Sequence, residues 1–244
     1  ISGHQDDIEI MAAAPIIECF QQPDKWFTGV VVTDGRGSPR DALYKDYSDE
    51  DMRLIRFKEQ KKAAVVGEFA ALALLDFPSG MVKSAAETAP VDDLEALFRL
   101  CQPQFVYTHN LCDKHDTHVA VALKVIAALR RLPAGLYPQK VLGCEVWRGL
   151  DWMINADKVG LDMSRHENLQ AALLGVFDSQ IAGGKRYDLA SMGRRRANAT
   201  YFESHGVDET AALSYAMDLT PLLAQPDLAP SAYAQKFIDR FSAE

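Results

Sequence analysis

Two short stretches concentrate the side chains that could do chemistry. "HQDDIE" at 4 to 9 places a histidine, two adjacent aspartates and a glutamate within six positions, and "DKHDTH" at 113 to 118 adds His115 and His118. No basic residue sits inside the first stretch, so its carboxylates repel unless a cation joins them. Imidazole nitrogens with a carboxylate are donors that zinc or another divalent ion accepts. Three protein donors leave a position open for water, as catalytic rather than structural zinc sites do. Such an ion makes water acidic enough to attack at neutral pH, so the chemistry implied is hydrolysis. A spare carboxylate could take the water's proton, and a spare histidine could stabilise an oxyanion or protonate a leaving amine.

Each signal has a plainer reading beside it. Asp6 and Asp7 alone could simply open a helix, whose N-terminal end favours negative charge. Arg56 and Glu59, three apart, read equally well as a helix ion pair or as a substrate contact. Glu9 reads as structural, orienting its loop, and His109 reads as a surface residue.

The elements that must position these residues alternate along the chain. "IEIMAAAPIIECFQQ" reads as a helix, "WFTGVVVTDGRG" as a strand ending in a glycine turn at Asp34, and "SDEDMRLIRFKEQKKAAVVGEF" as a helix with a polar start. "ALALLDF", "QFVYTHN" and "KVLGCEVW" read as further strands, separated by the helical "VDDLEALFRLCQ" and "THVAVALKVIAALRRL". Another helix is expected in "HENLQAALLGVFDSQI". This alternation implies an α/β fold, Rossmann-like, with a mostly parallel sheet and helices on both faces. Ligands in such folds gather beyond the carboxyl ends of strands, where Asp34 and the two motifs fall. From about Ala182 periodicity is lost, and "GGKRYDLASMGRRRANATYFESH" reads as an irregular C-terminal segment over the active site. Its Arg186 and Tyr187 supply basic and aromatic groups to that segment. Residues 1–244 read as a single domain without repeats, with the first strand cut short at Ile1.

Composition narrows the partners. The 34 acidic against 26 basic residues give a net charge of −8, which disfavours a general nucleic-acid binder. No apolar run reaches membrane-spanning length, and the 4 cysteines lack metal or disulfide spacing. A cytoplasmic protein with free thiols is expected, with homo-oligomer formation left open.

The two motifs and the features between them resemble the PIG-L/LmbE-like family of metal-dependent N-deacetylases, which act mainly on N-acetylglucosamine-type groups. Members carry His-Pro-Asp-Asp-x-Glu and a later His-x-x-His; "HQDDIE" and "HDTH" match, with "VVVTDGRG" and Arg56-x-x-Glu59 between them. The resemblance implies His4, Asp7 and His118 as ligands of zinc or another divalent metal, Asp6 as general base and His115 facing the substrate carbonyl. It also implies substrate contact by Arg56. Gln5 replaces the usual proline, Asp116 and Thr117 stand where Pro and Asp are common, and Pro78 stands where some relatives present an aspartate to the sugar. The implied activity is de-N-acetylation of an amino sugar or glycoconjugate. Cleavage of another small amide and a non-catalytic carbohydrate-binding role are the alternatives. A phosphate-accepting regulatory domain would explain Asp6 and Asp7 but neither His4 nor His118.

Overall fold

Val30, Val31 and Val32 are β-branched and apolar, and all three are buried in a strand. A computed structural model describes residues 1–244, which form two compact units. The first contains His4–Pro78 and Leu161–Ser214; the second contains Ile1–Gly3, Ser79–Gly160 and Tyr215–Glu244.

In the first unit, β1 (Thr28–Thr33) pairs in parallel with β2 (Ala71–Phe77), Thr28 opposite Ala71 and Thr33 opposite Phe77. Parallel strands need a crossover, supplied here by the helix Asp49–Val66. Ser48 starts it with a capping box: its hydroxyl accepts from the Asp51 amide, and the Asp51 carboxylate accepts from the Ser48 amide. The buried residues of this helix are Met52, Arg56, Glu59, Gln60 and Ala63, one face at helical spacing. Three of those five are polar, so the crossover carries hydrogen-bonding groups into the interior rather than only sealing a core.

Two expectations change in this unit. The first helix is broken, running Asp7–Met11 and then Ala13–Cys19. Pro15 explains the break, because it has no N–H for the Met11 carbonyl and its ring crowds that oxygen. The segment read as irregular contains a 14-residue helix, Tyr187–Thr200. Its buried face is Ser191, Arg195, Asn198 and Ala199, which are small or polar, so hydrophobic periodicity gave no signal for it.

In the second unit, β3 (Phe105–His109) and β4 (Lys140–Cys144) pair in parallel, Phe105 opposite Lys140 and His109 opposite Cys144. The helix Asp116–Arg130 connects them and buries Val121, Ala122, Val125, Ile126 and Leu129. It packs against the helix Ala89–Cys101, which buries Leu94 and Phe98. With β5 (Lys158–Asp162) and β6 (Leu213–Asp218), the sheet order is β3-β4-β6-β5. β6 runs antiparallel to β4, an exception that a mostly parallel sheet allows. Gly143 on β4 lets the chain leaving β3 pass close: a Cβ there would lie 3.0 Å from the Asn110 Cα. No helix is long and apolar enough to cross a membrane.

Candidate active site

The acidic loop belongs to the first unit. The His4 amide donates to Asp7 Oδ2 at 2.7 Å, and His4 Nδ1 lies 3.3 Å from the same oxygen. Asp6 faces a different partner: Arg56 Nη2 donates to its Oδ2 at 2.9 Å, both side chains being buried. Burial pushes the Asp6 carboxyl up to about 6; Arg56 opposes that rise and Asp7 adds to it. The backbone at Asp6 is held at φ 91°, a left-handed conformation that costs energy outside glycine. Its amide donates to Gln60 Oε1 at 3.2 Å.

Gln60 spans the loop, since its Nε2 also donates to Glu9 Oε1 at 2.7 Å. Glu9 is fully buried, and burial raises its carboxyl to about 8. Gln5 turns inward: its Nε2 donates to the Thr33 carbonyl at 3.1 Å, and its backbone carbonyl accepts from Arg56. A Cβ at Gly35, where φ is +71°, would collide with the Gln5 side chain. The glycine turn after β1 is therefore shaped by the residue that replaces proline.

Arg56 is 2% exposed. Its tight partner is Asp6, while Glu59 lies 3.8 Å from Nη1 and instead accepts from the amide and hydroxyl of Ser179, each at 2.7 Å. The Tyr187 hydroxyl sits within the field of Asp6, Arg56 and Asp7, and burial raises its pKa. Asp34 is engaged locally, accepting from Arg36 Nε at 2.5 Å and from the Arg36 amide at 3.2 Å. Arg186 is exposed and paired with Asp188 at 2.7 Å.

The histidine turn belongs to the second unit. His118 is fully buried and stacks between two other imidazoles, His109 at 3.8 Å and His115 at 4.6 Å between ring centroids. It offers a donor nitrogen within 4.8 Å of one on each neighbour. His109 is therefore not the surface residue expected. It closes the buried end of β3 with no exposure, and its Nε2 accepts from the Gly3 amide at 2.7 Å. His115 caps the helix Asp116–Arg130, its Nδ1 accepting from the Thr117 amide at 3.3 Å. That hydrogen bond leaves Nε2 as its other polar atom.

Asp113 sits behind the stack. Its Oδ1 accepts from the His115 amide at 2.9 Å, and Oδ2 accepts from the Trp147 amide at 3.0 Å and lies 3.7 Å from His118 Nδ1. Burial alone would raise its pKa, but the adjacent His118 ring and hydrogen bonds from backbone amides hold it below the usual carboxylate value. A carboxylate behind a histidine fixes the ring's orientation and tautomer, as commonly found around metal sites. Neither Asp113, inside "DKHDTH", nor Gln60 carries an evident role in the sequence alone. Gln60's signal was its place four residues after Arg56, on the same helix face.

Residues 1–129, more than half of the chain, match the family model described as PIG-L: GlcNAc-PI de-N-acetylase. The chain belongs to the PIG-L family. No curated protein matches this PIG-L chain in sequence. Its fold is similar to N,N'-diacetylchitobiose deacetylase from Pyrococcus horikoshii, with TM-score 0.70 and 16% identity over 91% of this chain and 83% of that one. It is also similar to 4-carboxy-2-hydroxymuconate hydratase from Pseudomonas putida KT2440, with TM-score 0.68 and 15% identity over 89% and 93%. The zinc-inhibited form of a teicoplanin deacetylase gives TM-score 0.61 and 13% identity over 89% and 95%. At these identities the likeness is one of fold. Because a hydratase shares it with deacetylases, the chemistry of a PIG-L chain has to be argued from its residues.

Proposed function

We propose that the protein removes an N-acetyl group from an amino sugar or glycoconjugate by hydrolysis, releasing acetate and a free amine. In this reading a divalent cation, zinc or another, is held by His4, Asp7 and His118. The observation that supports it best is the unlike partnering of two adjacent carboxylates: Asp7 faces His4, while Asp6 is held by Arg56. The donor set fits such an ion, being one carboxylate with imidazoles, and Asp113 stands behind His118 to orient it. The cation, when bound, would supply Lewis acidity toward the amide carbonyl and lower the pKa of water.

The protein's own groups then divide the work. Asp6, oriented by Arg56, accepts the proton of the attacking water as the C–O bond forms. His115 Nε2 faces the carbonyl oxygen, steadies the developing negative charge and gives a proton to the amine as the C–N bond breaks. Tyr187 meets the substrate beside Asp6. Asp34 and Arg186 reach it from the rim, where their present partners are the side chains of Arg36 and Asp188. Arg56 contributes through Asp6 rather than from an exposed position.

Acetate release tests this directly. Metal-loaded protein, offered a panel of N-acetylated sugars, glycans and glycolipids, should free acetate from at least one member, and chelator should stop it. Binding of panel members without any release would replace hydrolysis by a carbohydrate-binding role.

A further inference from the structure

Within the first unit a cavity of about 400 Å³ is walled by Met163, Met192, Arg195 and Ala212, among others, and none of its lining residues belongs to the acidic loop. Arg195 comes from the helix Tyr187–Thr200 and is 3% exposed. Its Nη1 donates to Gln170 Oε1 at 2.9 Å and to Met192 Sδ at 3.5 Å. Its Nη2 donates to the backbone oxygens of Glu9 and Ile10 at 2.9 and 3.2 Å. All of these acceptors are neutral.

The other charge acting on Arg195 is Arg194, a second cation, which together with burial lowers its pKa to about 10. It is still a cation at neutral pH. The nearby acids are taken elsewhere: Glu167, also on the cavity wall, pairs with Arg196, and the Glu9 carboxyl is bonded to Gln60. Arg56, the other deeply buried arginine of this unit, has Asp6 against it. A guanidinium withdrawn from water without a counter-charge is unfavourable, and an adjacent cavity lets a ligand supply that charge.

We propose that this cavity binds a small carboxylate with an apolar body, its anionic end on Arg195 and its body against Met163, Met192 and Ala212. A carboxylate suits it better than phosphate because the Nη groups are already committed, leaving Nε–H as the remaining donor. Phosphate calls for several donors, whereas thioether and methyl walls suit hydrocarbon.

Calorimetric titration of metal-loaded full-length chain with hexanoate should show one saturable site, with hexanamide binding roughly tenfold weaker or worse. Ala212→Leu fills the cavity while leaving Arg195 in place. It should weaken hexanoate by about tenfold or more without changing metal content or melting temperature. Arg195→Gln should abolish the preference for hexanoate over hexanamide. If that variant does not fold, the Ala212→Leu and hexanamide comparisons still decide. Equal hexanoate binding by wild type and Ala212→Leu, no preference over hexanamide, or saturation by inorganic phosphate alone overturns the proposal.

Discussion

The acidic loop and the histidine turn both keep polar groups out of water, but they are held in different ways. Asp6 and Glu9 depend on the side chains of Arg56 and Gln60, which lie 50 and 51 residues away on one helix face. The turn is held mainly by its own surroundings: ring stacking among His109, His115 and His118, and backbone amides converging on Asp113. The loop can thus be disarmed by one distant side-chain change, whereas the turn resists until a ring or its backing carboxylate is removed. In the proposed reaction the loop supplies the base and the turn supplies the ring that meets the oxyanion.

The largest effect should come from His118→Ala, which takes the central ring from the stack. Purified variant should contain no stoichiometric divalent metal by elemental analysis and show no measurable acetate release; full metal occupancy would refute the ligand set. Asp6→Asn comes next. It should retain metal and lose about 10²–10⁴-fold in turnover, the usual range for a positioned base. Unchanged turnover would show that the loop's divided carboxylates have no catalytic meaning.

Arg56→Met tests how far the loop depends on a remote side chain. Removing one partner of a buried ion pair destabilises by about 3–5 kcal/mol, which urea unfolding at neutral pH would read. A loss below about 1 kcal/mol, the level of an exposed pair, would mean the loop holds itself. The smallest expected effect is that of Asp113→Asn, which keeps shape but removes charge behind His118. Metal affinity, measured by competition with a chelator, should fall about 10–100-fold, as for other carboxylates behind metal-binding histidines. Unaltered affinity would mean the amides around Asp113, rather than its charge, set the ring.

Sequence patterns revealed the chemistry-bearing residues better than their supports. Val30 to Val32 and the Ser48–Asp51 cap marked β1 and the crossover because hydrophobic pattern and capping are local signals. The two motifs stood out because histidines and carboxylates at such spacing are uncommon without a ligand. Gln60 did not stand out, since a polar residue on a helix looks solvent-facing until its buried partner is known. His109 was misread for the same reason: its burial is decided by the sheet and by Gly3, more than a hundred residues earlier. The helix Tyr187–Thr200 escaped because its inward face is polar and small, and the antiparallel run of β6 because strand direction is set by pairing.

Under the proposed reaction, the left-handed backbone at Asp6 sets backbone ease against chemistry at a single position. Glycine would relax that conformation and, in the unfolded chain, cost only entropy, yet it would delete the carboxylate and leave buried Arg56 with only the more distant Glu59, 3.8 Å away, as counter-charge. Asparagine tolerates the same dihedral and keeps the shape, but cannot take the proton. In the proposed reaction, the strain of the Asp6 backbone is the cost of placing a proton acceptor at that turn.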